Sequence, residues 1–284
     1  MLSTAKKILF FIPLILLILV LVGAGILFGP QLLRAKAVEA YLEYQDQVDG
    51  LSISNTSGDP VGFANGEYKV LIFLSADCGS CIESLPLYDR FNRILCNDQN
   101  IELMLMWEDR LPLAQLRKHN LEDNSYSLGN VKIANAYGTV LFVSPDNHVE
   151  FMDSSGLKNV IAYVMEKNIL KQDQTIENAN VYLREKYGNQ AGKKDLVYFS
   201  MPNCPDCIEA TPIVYTEDMQ AKYNITRIEL DRGAKVGDII DDHNIYRIAY
   251  GIDWYPSFLV LSEDRYSIIR RVEVGDLQSL LMDN

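Results

Sequence analysis

An apolar run entering a Cys-x-x-Cys turn occurs twice in this chain and limits the folds open to it. The first copy is Leu71-Ile72-Phe73-Leu74-Ser75-Ala76-Asp77-Cys78-Gly79-Ser80-Cys81-Ile82-Glu83-Ser84-Leu85-Pro86. The second is Leu196-Val197-Tyr198-Phe199-Ser200-Met201-Pro202-Asn203-Cys204-Pro205-Asp206-Cys207-Ile208-Glu209-Ala210-Thr211-Pro212. Each reads as a buried strand, a tight turn and the opening of a helix. In both, Ile-Glu follows the second Cys and a Pro stands five residues beyond it. Four of the five cysteines among 284 residues are used this way.

That placement has a chemical reason. The thiolate is the nucleophile of disulfide exchange, and a free thiol with a pKa of about 8.5 is mostly protonated at neutral pH. A helix N-terminus offers unpaired N–H groups and partial positive charge, which favour the thiolate. Two intervening residues let the second sulfur reach the first, so a mixed disulfide can be resolved internally. Cys78 and Cys204 are therefore the expected attacking thiols, and Cys81 and Cys207 the resolving ones. Two other uses fit the residues: each pair is a static structural disulfide, or the four thiolates hold one zinc.

The first copy resembles membrane-tethered bacterial thiol-disulfide oxidoreductases of the TlpA type, within the thioredoxin-like superfamily. The resemblance begins at Gly58-Asp59-Pro60-Val61, runs through Gly66-Glu67-Tyr68-Lys69-Val70-Leu71-Ile72-Phe73 and the Cys pair, and ends near Thr139-Val140-Leu141-Phe142-Val143-Ser144-Pro145-Asp146-Asn147. In the second copy, Tyr250-Gly251-Ile252-Asp253-Trp254-Tyr255-Pro256-Ser257-Phe258-Leu259-Val260-Leu261 is similar to the family segment that carries a cis-proline before a strand. The resemblance implies that the backbone of Tyr255, before Pro256, pairs with an extended client chain. The corresponding position in the first copy falls on Gly138. The chain departs from the family in having Asp77 and Asn203 where a Trp commonly precedes the first Cys. It also has Ile72 and Tyr198 in place of a buried acid.

Residues 1–7 carry Lys6 and Lys7, and 8–29 are uncharged and almost wholly apolar. Twenty-two residues in a helix span roughly 33 Å, enough for a bilayer core of about 30 Å. A cleaved signal peptide would have a shorter apolar region, so an uncleaved anchor is the expectation. Arg34 and Lys36 beyond it balance Lys6 and Lys7, so charge says little about orientation. Disulfide exchange belongs outside the cytoplasm, which puts the soluble part on the extracytoplasmic side of the cell membrane in a single-pass topology. A formal net charge of −12 argues against nucleic acid as a partner. The expected partners are exported cysteine-containing proteins or a redox partner protein.

The expected fold class is α/β: two thioredoxin-like domains, each a mixed sheet flanked by helices, after the transmembrane helix. The boundaries are a cytoplasmic tip at 1–7, the anchor at 8–29, a stalk at 30–50, domain one at 51–173 and domain two at 174–284. In domain one, 51–65 reads as irregular chain, 68–74 and 101–107 as buried central strands, and 81–95 and 111–120 as helices. A hairpin is expected over 140–143 and 148–152, turning at Pro145-Asp146-Asn147, then a helix over 157–170. In domain two the expectations are a helix over 176–187, a loop over 188–194 and strands over 196–199 and 225–230. The active-site helix is expected over 207–222, with helical chain over 238–246. A terminal hairpin over 258–261 and 267–272 and a last helix over 275–282 complete it.

Other residues have milder readings. Cys96 is a small buried hydrophobe or a third redox thiol. His119, His148 and His243 are scattered, and no metal or cofactor is expected. Glu83 and Glu209 suit the first turn of a helix by charge and could assist proton transfer. Trp254 flanks the client groove or belongs to the core, as does Trp107. The function expected is dithiol–disulfide exchange on exported proteins. The alternatives are a thioredoxin-fold binding or chaperone module with structural disulfides, and metal delivery.

Overall fold

A computed structural model describes residues 48, 50–63, 66–97, 99–129, 137–154, 156–187, 193–230, 239–241, 243–261, 266–270 and 273–283. The expected tip at 1–7 and anchor at 8–29 lie outside these residues. So do most of the stalk at 30–50, Asn65, most of the 188–194 loop, Asp238 and the end of the last hairpin at 271–272. Among the described residues no helix is long and apolar enough to cross a membrane. The chain divides into two units. In the unit made of Met1–Leu51 and Asn147–Val149, the Leu51 N–H donates to the Val48 carbonyl at 3.2 Å. The unit made of Ser52–Asp146 and Glu150–Asn284 carries both β-sheets, apart from Val149.

The first sheet is built from β1 (Ile53–Ser54), β2 (Pro60–Val61), β3 (Tyr68–Leu74), β4 (Ile101–Trp107), β5 (Ser125–Ser127), β6 (Val140–Val143) and β7 (Val149–Asp153). Its order is β2-β1-β5-β4-β3-β6-β7. β3, β4 and β5 run parallel, and β6 runs antiparallel to β3. The near-continuous apolar character of β3 and β4 follows from burial on both faces of the sheet. The second sheet comprises β8 (Lys194–Ser200), β9 (Tyr223–Glu229), β10 (Ile239–Ile240), β11 (Ser257–Leu261) and β12 (Tyr266–Arg270), in the order β10-β9-β8-β11-β12. β8, β9 and β10 are parallel, with β11 antiparallel to β8 and β12 antiparallel to β11. Strand for strand this repeats β5-β4-β3-β6-β7 and matches what two thioredoxin-like domains require. The register agrees too: Val140 faces Ile72 and Phe258 faces Tyr198.

The helices are α1 (Gly79–Glu83), α2 (Leu85–Phe91) and α3 (Leu113–Lys118), then α4 (Leu157–Glu166), α5 (Gln172–Tyr187) and α6 (Pro205–Val214), then α7 (Glu217–Lys222), α8 (Ile245–Ala249) and α9 (Val274–Asp283). α5 packs against elements of both halves. Its Ile176, Ala179, Tyr182 and Leu183 share one buried cluster with Ile94 and Leu95 of the first half and Phe199, Tyr246 and Tyr250 of the second. Polar side chains make hydrogen bonds along it as well. Asn178 donates to Asn97 O at 2.7 Å, and Tyr250 OH donates to Asn180 Oδ1 at 2.8 Å.

Several local expectations are corrected. The irregular chain over 51–65 contains the β1–β2 pair, with Ile53 opposite Val61. The helix expected over 81–95 is three segments. Ser84 separates α1 from α2, because Pro86 has no N–H to continue the bonding, and 92–96 relaxes into a π-helical turn. The helix expected over 207–222 tolerates Pro212 but ends at Val214 and restarts behind Thr216, whose hydroxyl caps Met219 N–H. The helical expectation over 238–246 fails: Ile239–Ile240 pairs with β9, and α8 begins only after Asn244, at φ +60°. α5 starts at Gln172, so the boundary expected at 173/174 falls in its first turn.

Candidate functional site

The first cysteine turn leaves the end of β3 and is pinned by one carboxylate. Asp109 accepts the Ala76 N–H at 3.0 Å on one oxygen and the Ser75 hydroxyl at 2.7 Å on the other. Burial opposes the charged form of Asp109, and these hydrogen bonds outweigh it, holding its pKa below the usual aspartate value. The Ser75 carbonyl receives Cys78 N–H at 3.2 Å, and its hydroxyl receives Asp77 N–H at 3.1 Å. Cys78 is thereby set as the N-cap of α1, and its Sγ accepts the Cys81 N–H at 3.3 Å. The Ser80 hydroxyl lies 3.2 Å from the same sulfur. Cys78 and Cys81 form a disulfide with Cα atoms 5.3 Å apart. Asp77 points away to an exposed ion pair with Arg110 at 2.9 Å.

The second turn repeats this at the end of β8. Asn203 takes the left-handed conformation, φ +60°, which Asn tolerates better than most residues. Cys204 is the N-cap of α6 and Pro205 opens the helix. The Cys204 Sγ accepts Cys207 N–H at 3.2 Å, and the two cysteines are disulfide-bonded. Tyr198 places its hydroxyl under the turn, donating to Cys207 O at 2.8 Å, with the Thr211 hydroxyl donating to the same carbonyl at 2.7 Å. The Tyr198 side chain, six residues before Cys204, thus supports the helix's first turn. In both sites the first sulfur occupies the position where a capping oxygen would sit, so a thiolate there would receive a backbone N–H and the positive end of the helix.

The Tyr255–Pro256 peptide is cis, and Tyr255 O lies 3.9 Å from Cys204 Sγ. Gly138 stands at the matching place in the first half, two residues before the strand position opposite Ile72, as Pro256 is before the one opposite Tyr198. It has φ +86° and donates to Phe73 O at 2.8 Å, a conformation glycine adopts without cost. Tyr255 and Pro256 thus lie beside the Cys204–Cys207 turn, whereas Gly138 is hydrogen-bonded to Phe73 on the strand that leads to Cys78 and Cys81.

A cavity of about 710 Å³ lies on the Cys207 flank of the second turn. Its walls include Met201, Pro202, Cys207, Ile208 and Tyr215. Thr211, Arg227 and Glu229 also line it, and Arg227 bonds Glu229 at 3.0 Å and the Ser200 hydroxyl at 2.8 Å. Arg227, Glu229 and Asp109 are not among the site residues expected from the sequence. Arg227 and Glu229 alternate along β9 and so share a face, a signal the sequence did carry.

Cys96 sits buried on the π-helical turn, a free thiol whose pKa burial pushes up. Glu83 and Glu209 are exposed on the helices behind the cysteines. Trp107 is buried and donates to the Ser125 hydroxyl, whereas Trp254 is 48% exposed beside Tyr255. Among the described residues no group of three or more His, Cys, Asp or Glu is placed to hold a metal ion.

No protein-family model matches the chain, and no curated protein matches it. Solved structures similar to parts of it include a secreted Mycobacterium tuberculosis disulfide oxidoreductase homologous to E. coli DsbE. That match has 15% identity, TM-score 0.27, and covers 33% of this chain and 83% of that one. A thiol-disulfide oxidoreductase from Bacteroides fragilis matches at 17% identity and TM-score 0.32, covering 37% of this chain and 88% of that one. A thiol:disulfide interchange protein from Bacteroides sp. matches at 17% identity and TM-score 0.33, covering 39% and 82%.

Proposed function

We propose that this chain is a thiol-disulfide oxidoreductase with two reactive cysteine pairs, acting on exported proteins or on a redox partner protein. The observation that carries the proposal is the repeated cap geometry. In two separately built turns the first Cys Sγ accepts the second Cys N–H at 3.3 and 3.2 Å, at the N-terminus of a helix. In the reducing direction the Cys204 thiolate attacks a client disulfide, forming a mixed disulfide and releasing one client sulfur as thiolate. The Cys207 sulfur, losing its proton, then attacks Cys204, which closes the internal disulfide and frees the second client sulfur, now reduced. The reverse sequence oxidises a client dithiol. Cys78 and Cys81 run the same steps at the first site. Tyr255 with Pro256, and Gly138 at the other site, form the edge along which an extended client lies.

The test separates attack from resolution. In the full chain bearing Cys78→Ser and Cys81→Ser, Cys204→Ser abolishes exchange, whereas Cys207→Ser accumulates a mixed disulfide visible on non-reducing gels. Static structural disulfides would give no trapped species from Cys207→Ser and no turnover from the parent, and either result overturns the proposal.

The apolar stretch at 8–29 is the basis for proposing a single-pass anchor, with 51–173 and 174–284 as two domains on the extracytoplasmic side. Protease added to intact spheroplasts should then digest the chain beyond about residue 40. Full protection in intact spheroplasts, with digestion after lysis, would overturn that topology.

A further inference from the structure

We infer that the cavity beside Cys207 is a specificity pocket that receives a large apolar side chain of the client, close in sequence to its reacting cysteine. This rests on the exchange reading of the second site and extends it to the class of substrate. Ligand-holding clefts have volumes of roughly 300–1,000 Å³ with mostly apolar walls. At about 710 Å³ this cavity falls in that range. Met201, Ile208 and Tyr215 line it, and all three are large apolar side chains left exposed among the described residues. Clustered exposed apolar residues of that kind mark a surface that is covered during function.

What covers it follows from Cys207, which forms part of the wall. Any chain disulfide-bonded to Cys204 has its cysteine held beside that wall, since the two sulfurs of the turn are themselves in bonding contact. An extended chain advances about 3.3 Å per residue, so a side chain two positions from the client cysteine reaches roughly 7 Å from it. The cavity lies on the flank of α6 and β9, whereas Tyr255 lies against Cys204 on β11's side. Backbone pairing and side-chain selection would thus act on opposite flanks of one turn. The first turn offers a contrast: the residue preceding its cysteines, Asp77, is engaged in an exposed ion pair with Arg110. The two sites are therefore expected to differ in client choice.

The probes are homodisulfides of two short peptides of equal charge, one with Trp and the other with Ser two residues from the single cysteine. Glutathione disulfide serves as the reference. Single-turnover reduction is followed with the reduced full chain carrying Cys78→Ser and Cys81→Ser, so that only the second site exchanges. Complementary filling of an apolar pocket discriminates side chains by factors of ten or more. The Trp peptide should therefore react at least about tenfold faster in kcat/KM than the Ser peptide. In the Met201→Ser, Ile208→Ser variant that ratio should fall below about threefold. Ile208 is 66% exposed, so its replacement disturbs little of the fold. A ratio near one in the parent, or an undiminished ratio in the variant, overturns the pocket while glutathione disulfide is still reduced. Failure to reduce glutathione disulfide as well overturns the exchange reading together with it.

Discussion

Asp109 shows how a residue outside the motif governs it. Its two oxygens hold Ala76 N–H and the hydroxyl of the buried Ser75, and these fix the chain between β3 and Cys78. Removing both acceptors leaves a buried hydroxyl and an amide without their partners, at a cost of about 1–2 kcal/mol. Asp109→Ala should lower stability by that amount at pH 7, measured by urea unfolding, and slow exchange at Cys78 more than at Cys204. The pH dependence has a definite sign. Asp109's folded pKa lies below its unfolded value of about 3.9. Its contribution is complete above the unfolded pKa and is lost as pH falls through the folded one. The gap between wild type and Asp109→Ala should therefore narrow in strong acid. Equal stabilities at pH 7 would show that the turn does not depend on this carboxylate. Nothing near Cys78 in the sequence announces Asp109, which lies just beyond the end of β4 and is brought there only by the parallel pairing of β3 and β4.

At the scale of elements, legibility follows how local the cause is. β3, β4 and β8 could be read because unbroken apolar runs of that length are buried on both faces. The cysteine turns could be read because capping and spacing are local. What escaped was set by partners far away in sequence. β5 has three residues and exists because Leu105, Met106 and Trp107 offer it a parallel edge. Ile239–Ile240 is too short to be read as a strand alone and pairs because β9 presents Ile228 and Glu229. The duplicated prolines show the same limit. Pro86 and Pro212 hold equal positions after their cysteines, yet a helix break precedes the first and α6 runs through the second. A missing N–H costs a bond in both places. The carbonyl that Pro212 leaves without a helical N–H is that of Ile208, which is 66% exposed, so water can take the bond. The site was legible to a similar degree. The cysteines, Tyr255, Pro256 and Gly138 come from a motif and its register, whereas Asp109 and the cavity lining come from tertiary contact.

Between the two sheets, one carboxylate is buried with only part of its hydrogen bonding met. Asp89 on α2 is almost fully buried where α5 crosses. One oxygen accepts from Tyr182 OH at 3.5 Å and lies 3.8 Å from Lys186 Nζ, while Oδ1 has no hydrogen-bond partner. Burial raises its pKa, and the nearby Lys186, Arg93 and His119 charges and the Tyr182 bond only partly offset that. Asp241, bonded to Tyr246 and Arg247 N–H at the start of α8, is raised by burial in the same way. A group whose folded pKa exceeds its unfolded value binds its proton more tightly when folded. Its contribution is full below the unfolded pKa, about 3.9 for Asp, and is lost as pH rises through the folded one. Asp89→Asn removes that titration and keeps an oxygen for Tyr182. Urea midpoints of wild type and Asp89→Asn, compared from pH 4 to pH 8, should show wild type losing ground to the variant as pH rises. Should wild type instead gain on the variant with pH, the Lys186 attraction exceeds the desolvation of Asp89, and the ion pair would be a net support of the contact between the two halves.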